Sequence, residues 1–322
     1  MKKFLFIISL ILIVLVVSSC NSNSTKGTEG LDYYPLDDGT YGVDVGNANL
    51  LSNIVIPKKY NKKHVTVIMD SAFKGCKNLT SIVIPNSVTK IGKEAFAGCS
   101  SLASITIPSG VTTIEESAFA NCKNLVNVEF PNSVITIDEK AFFNCNNLTS
   151  IDIPSSVKTV KYGAFDNCNS LTRVNYLGTI EQWCNISFTH DSNPLENHAD
   201  FYLNGELVTT LEIPDTVWII NDYAFIGASF TSVIIPNSVT TIGWHAFESC
   251  KNLVSIIIPN SVTSIDSLAF QACNKLTIYC EAEKQPSGWN SSWNYNGLEL
   301  PVIWGHTHSY TDSKCICGKS EN

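Results

Sequence analysis

The residue types able to do chemistry here are mainly cysteine and histidine. The 322 residues include twelve cysteines and six histidines. Near the C-terminus His306 and His308 precede Cys315 and Cys317. A His-x-His followed by Cys-x-Cys supplies four soft ligands, enough for tetrahedral zinc. The spacings are not those of the common zinc modules and no second half exists, so no metal site is assigned there, and no cofactor is expected. A second group is Cys184, His190, Asp191 and Ser192. These are types used in nucleophilic catalysis. No nucleophile elbow, His-Glu-x-x-His motif or phosphate loop surrounds them. An enzyme is therefore not expected.

The remaining cysteines have a register. Cys76, Cys99, Cys122, Cys145 and Cys168 recur at a spacing of 23 residues. Coils stacked at this period would lie about 4.8 Å apart, and a disulfide spans roughly 4.4–6.8 Å between α-carbons. An exported chain would permit such bonds. Stacked side chains, however, point the same way. Ala228 occupies the same column as a small apolar replacement. Free, buried thiols acting as small apolar groups are therefore expected.

The cysteines belong to a longer phrase. Its plainest copy begins at Leu79, and later copies start at Leu102, Leu125, Leu148 and Leu171. Pro85, Pro108, Pro131 and Pro154 form one column; Ala95-Phe96, Ala118-Phe119, Ala141-Phe142 and Ala164-Phe165 form another. A fixed period in this range marks a solenoid. Leu-x-x-Ile-x-Ile is half-buried strand spacing, closed by a proline that cannot continue a ladder. Val-x-x-Ile forms the return path. Ile91, Ala95, Phe96 and Cys99 then stand at the spacing of one helical face. A single coil cannot bury these side chains, but a stack can.

The phrase L-x-x-I-x-I-P-x-x-V-x-x-I-x-x-x-A-F-x-x-C resembles the BspA-like, or Treponema-type, leucine-rich repeat over roughly residues 45–285. That resemblance implies a leucine-rich-repeat solenoid of about nine coils with a parallel sheet on one face. It further implies a surface-exposed or secreted protein, adhesins being among the family.

The N-terminus carries a different signal. Lys2-Lys3 is followed by the apolar run Phe4 to Val17, which fits a signal peptide and is short for a membrane span. Val17-Ser18-Ser19-Cys20 resembles a lipobox. The resemblance implies bacterial export, removal of residues 1–19 and a lipid on Cys20. Residues 20–30 read as a flexible tether, 31–50 as a capping hairpin around Asp38-Gly39, and 51–280 as the solenoid. The first coil holds a basic loop, Lys58 to Lys63, either merely solvated or facing an acidic partner or a phosphate-rich surface. Residues 172–207 form an aromatic-rich insertion, 281–305 a C-terminal cap with Trp289, Trp293 and Trp304, and 306–322 a tail.

Net charge is −8, which disfavours a nucleic-acid partner. The sheet offers a continuous outward row, from Ser81 and Val83 through Asn175 to Ile234 and Ile257. The contact candidates are Glu129, Asp152, Arg173 and Glu212 on that row, with Trp183, Phe188 and Tyr202 from the insertion. The expected function is a non-enzymatic, lipid-anchored surface protein that binds protein or glycan on host or neighbouring cells, adhesion included. The alternatives are an envelope spacer without a ligand, or metal binding through the tail.

If Cys20 is the acylated N-terminus, Cys20→Ser releases the protein from membranes or leaves an unprocessed precursor. Fractionation and gel mobility identical to wild type would remove the lipoprotein reading.

Overall fold

The computed structural model describes residues 26–295 and 300–307, with the backbone alone of the short strands Tyr310–Thr311 and Lys314–Cys315. Cys20 and the signal segment lie outside the described residues, as do His308, Cys317 and the side chain of Cys315. The chain winds into a solenoid of about 11 turns with parallel sheets. The main sheet takes one strand per coil, such as Ser104–Thr106, Asn127–Glu129, Ser150–Pro154 and Arg173–Leu177. A minor sheet on the return path takes two residues per coil, such as Thr113–Ile114, Thr136–Ile137 and Thr159–Val160. Registers advance by one repeat: Val128 pairs with Ile105, and Ile137 with both Ile114 and Val160.

The inward columns meet in one continuous core. Phe73, Phe96, Phe119, Phe142 and Phe165 are fully buried. Their rings stack with centroids 5.2, 5.3, 5.4 and 5.4 Å apart. That is slightly more than the strand spacing of about 4.8 Å, so one aromatic residue per coil fills the third side of the stack.

That third side is not a helix. Ile91, Ala95, Phe96 and Cys99 have helical spacing and all point inward, yet the segment is a chain of turns. Glu94 and Gly98 hold positive φ of 54° and 74°, and Ser117 and Asn121 repeat this at 54° and 61°. Between them the amides alternate. Those of Glu94, Phe96 and Gly98 donate to Glu116, Ala118 and Ala120 of the next coil; those of Ala95, Ala97 and Cys99 donate three residues back. A helix would consume every amide internally and leave none for the neighbouring coil.

The ends are covered. At the N-terminus Asp32–Pro35 and Tyr41–Asp44 form an antiparallel hairpin whose second strand pairs with Lys63–Ile68. Thr28, expected in the flexible tether, is already fixed: its amide donates to the Val55 carbonyl at 2.9 Å and its hydroxyl accepts from the Val55 amide at 2.7 Å. Lys58–Lys63 is not an open loop but a tight antiparallel turn, with Lys59 paired to His64. At the other end Trp293 packs edge-on to Phe270 at 6.0 Å and Trp289 donates its indole N–H to the Val262 carbonyl at 3.0 Å. Among the described residues no helix is long and apolar enough to cross a membrane.

The phase of the coil makes a direct comparison possible. Phe119 is fully buried, whereas Glu129 is exposed on the main sheet. Phe119→Ala should cost about 3–5 kcal/mol, and Glu129→Ala no more than about 0.5 kcal/mol. Denaturant midpoints show the difference; equal midpoints would contradict this phase.

Candidate functional site

The outward row of the main sheet is built by register. Thr106 stands beside Glu129, Asp152 beside Asn175, and Asn175 beside Tyr202. The hydroxyl of Thr106 donates to Glu129 Oε2 at 2.9 Å. Arg173 Nη1 donates to Asp152 Oδ1 at 3.0 Å, and Asn175 Nδ2 donates to the same oxygen at 3.1 Å. The Arg173 guanidinium also lies over the Tyr202 ring, 4.7 Å from its centroid. Such a contact contributes about 0.5–1 kcal/mol where exposed. Four side chains from three parallel strands are thus held in one arrangement. Glu212 is exposed on the far side of the insertion, and Ile234 follows it on the next strand.

Two positions on this row differ from expectation. Asn175 is 3% exposed, because the turn between Asp200–Leu203 and Glu206–Leu207 folds over it and the Gly205 amide donates to its Oδ1 at 2.8 Å. Ile257 is 9% exposed, beside Tyr279 of the next strand.

The insertion is itself a turn of the solenoid, which raises the coil count. Ser187–Phe188 pairs with Thr159–Val160 in the minor sheet, and Asp200–Leu203 pairs with Arg173–Leu177 in the main one. A short helix, Ile180–Cys184, opens it, with Thr179 and Gln182 forming a capping box. Trp183 is 0% and Phe188 6% exposed, so neither stands out beside the main-sheet row as a contact residue. The reason is the amide ladder. In regular coils the phenylalanine amide donates to the alanine carbonyl one coil ahead, as Phe142 does to Ala164. Asn193 stands in that column in the insertion. The Ala224 carbonyl instead accepts from Trp183 Nε1 at 2.7 Å and Asn193 Nδ2 at 3.0 Å. Trp183 also meets Tyr176, Phe188 and Phe201 at centroid distances of 5.1, 5.3 and 4.9 Å. It replaces a core phenylalanine and part of a ladder.

The chemistry-bearing groups are similarly occupied. His190 Nδ1 lies 2.7 Å from Asp191 Oδ2, but Ser192 is buried and its hydroxyl accepts from the Thr189 amide at 2.8 Å. Cys184 is buried, and burial pushes its thiol up to about 12. The ladder cysteines are free. From Cys99 onward they donate the thiol to a phenylalanine carbonyl of the preceding coil; for Cys99 to Phe73 the distance is 3.0 Å, and for Cys122 to Phe96 3.1 Å. Burial holds Cys122 and Cys168 at about 12, so the nucleophilic thiolate is suppressed. Among the described residues no group of three or more His, Cys, Asp or Glu side chains is placed to hold a metal ion. Within the zinc candidates, His306 packs edge-on to Tyr279 at 4.9 Å, and its amide donates to the Cys280 carbonyl at 2.8 Å.

One titratable group was not anticipated. Glu196 sits on the 3-10 turn Pro194–Asn197, in a polar pocket of about 150 Å³ with Asp166, Asp191 and Asn193. Burial, then the charges of Asp191, Glu248 and Asp166, push its carboxyl up to about 8. No spacing marks this residue in the sequence, because the pocket forms between the insertion and the preceding coil.

A stacked solenoid with one parallel main-sheet strand per coil defines a leucine-rich-repeat scaffold. The family model of the BspA type leucine rich repeat region matches residues 66–194 and 198–284, in six copies. The chain belongs to that family. Among solved structures it is similar to the pneumococcal vaccine antigen PcpA, with 17% identity and a TM-score of 0.51 over 87% of this chain and 86% of that one. It is also similar to the leucine-rich repeat protein TpLRR of T. pallidum, at 23% identity and a TM-score of 0.46, covering 78% and 90%. A leucine-rich cell surface protein of Faecalibacterium prausnitzii matches at 20% identity and a TM-score of 0.40, covering 94% and 99%. No curated protein matches the chain.

The Glu196 pocket has a measurable consequence. An unfolded glutamate titrates near 4.5 and the folded one near 8. Between those values the folded state binds the extra proton, so this group's contribution to stability is complete below about 4.5 and falls as pH rises toward 8. Thermal midpoints of wild type should fall relative to those of Glu196→Gln from about pH 5 to pH 8. Parallel profiles would show that Glu196 titrates normally.

Proposed function

We propose that the protein is a non-enzymatic, lipid-anchored surface protein that recognises a protein or glycan partner through the main sheet, adhesion being its physiological form. The observation that supports this most is the tied cluster Asp152, Arg173 and Tyr202, with Glu129 one strand earlier. Charged and aromatic side chains fixed across parallel strands present a recognition surface whose ordering cost is already met. Family membership supports a scaffold role. The apolar run and Cys20 support attachment outside the cytoplasm. Buried, partnered cysteines and the occupied Ser192 favour binding over catalysis.

The contact set is Glu129, Asp152, Arg173, Tyr202 and Glu212. Binding is measured against arrayed glycans and extracellular proteins with two variants. One replaces Glu129, Asp152 and Glu212 by alanine; the other replaces Lys58, Lys59 and Lys62. All six are exposed, so both should fold. Loss of the ligand in the first variant supports the sheet-face reading. Loss in the second alone would move the site to the N-terminal basic turn.

A further inference from the structure

The minor sheet is interrupted between Lys90–Ile91 and Thr113–Ile114 and again after Ser187–Phe188. One group of strands ends at Ser187–Phe188 and the next comprises Ile219–Ile220, Thr241–Ile242 and Ser264–Ile265. At this second break opens a groove of about 370 Å³. Ser187 and Phe188 line one wall; Ile219, Asn221 and Asp222 line the other; the floor continues over Thr241 and Gly243 to Asp266. These residues come from four successive turns. The groove therefore runs across the coils for three steps, about 14 Å at the strand spacing, rather than along a strand edge.

The lining is polar as well as apolar. Two carboxylates face the groove. Asp222 is oriented, because its Oδ1 accepts the Trp244 amide at 2.8 Å. A Cβ on Gly243 would stand 2.5 Å from that oxygen, so the glycine is what lets the carboxylate sit there. The Asp266 carboxyl is raised by burial and by the charge of Asp222. Two indoles adjoin lining residues. Trp218 directly precedes Ile219 and is 68% exposed; Trp244 directly follows Gly243 and is 40% exposed. Trp244 is braced by Tyr223 and His245, with centroids 5.4 and 4.4 Å away. Large side chains left this open need a reason, since tryptophan is normally well buried.

One oriented carboxylate, a second carboxylate and two indoles one residue outside the lining together match a sugar. The C–H face of a pyranose ring stacks on an indole, and ring hydroxyls donate to carboxylate oxygens, which accept without donating. Asp222 and Asp266, on a chain of net charge −8, repel sulfated or sialylated sugars. A peptide strand would instead follow the two-residue edges of Ser187–Phe188 and Ile219–Ile220 and leave Asp266 untouched. We propose that this groove binds a neutral oligosaccharide, with Trp218 and Trp244 as stacking platforms and Asp222 and Asp266 as hydroxyl acceptors. The site is separate from the main sheet and does not depend on the reading given above.

The test probes the purified full chain with an array of neutral, sialylated and sulfated oligosaccharides, followed by titration of the best neutral binder with tryptophan fluorescence as readout. Expected results are neutral-glycan binding, an affinity drop of about tenfold or more in Trp218→Ala and Asp222→Asn (a tenfold change being 1.4 kcal/mol), and unchanged affinity in Lys123→Ala, an exposed residue of an earlier coil. Trp218 is open enough that its loss should leave the melting curve intact, which separates a binding defect from misfolding. Binding only to anionic glycans, binding of a basic peptide in place of sugar, no binding to the array, or equal affinity in Trp218→Ala would each overturn the assignment.

Discussion

The structure depends on where the backbone amides of the third side go. In the regular coils every second amide leaves its own segment and bonds to the next coil: Phe96 to Ala118, Phe119 to Ala141, Phe142 to Ala164. That alternation requires residues in the left-handed region at two places per coil, and ordinary residues such as Glu94, Ser117 and Lys140 are held there at φ of 54°. A left-handed conformation costs roughly 1–2 kcal/mol for a residue with a side chain. A net hydrogen bond contributes about 0.5–1.5 kcal/mol, and the same geometry buries a phenylalanine. The strain is tolerable because it closes the stack on all three sides. An isolated coil would carry the strain without the partner carbonyls.

The same constraint explains the column identities. With coils this close, whatever stands at a position in one coil touches its counterpart in the next. Phenylalanine rings lie nearly parallel, with interplanar angles of 4°, 2°, 5° and 8° along the first run. A cysteine fits its column because its thiol reaches the free lone pair of the preceding phenylalanine carbonyl, as Cys145 reaches Phe119 at 3.2 Å. The sulfur thereby has a donor role that alanine lacks. Ala228 shows that the column nonetheless tolerates losing it.

Much of this was legible in the sequence, and what was not has physical causes. The period, the inward columns and the parallel sheet follow from Leu79, Ile82, Val88, Ile91 and Phe96 alone. The turn geometry did not, because Ile91, Ala95, Phe96 and Cys99 satisfy a helical face equally well. One signal was present: Gly75, Gly98, Asn121, Asn144 and Asn167 occupy one column, and glycine and asparagine are the residues that enter the left-handed region most readily. The insertion was illegible for another reason. Its aromatic residues suggest exposure or burial equally, and only the vacant carbonyl of Ala224 decides that Trp183 turns inward. On the main-sheet row Glu129 and Asp152 were readable by alternation, whereas the burial of Asn175 depends on a hairpin from the far end of the insertion.

A solenoid also separates stability from recognition more cleanly than a globular fold. Each coil places inward residues by one rule and outward residues by none beyond solubility, so outward rows are free to vary. Where they do not simply vary, the departure carries information. The regular coils carry Thr112, Ile135 and Lys158 next to their minor-sheet strands, Ile135 itself half-exposed. The coil after the insertion places Trp218 and Ile219 there, both largely exposed. The insertion breaks the minor sheet at this point and leaves the strand Ile219–Ile220 with a partner on one side only, Thr241–Ile242. An extra turn that must be fitted into a fixed period cannot match both sheets at once. It joins the preceding coil in both sheets, through Ser187–Phe188 and Asp200–Leu203. The mismatch is therefore displaced onto the following coil, where an interrupted return path and the exposed Trp218 coincide.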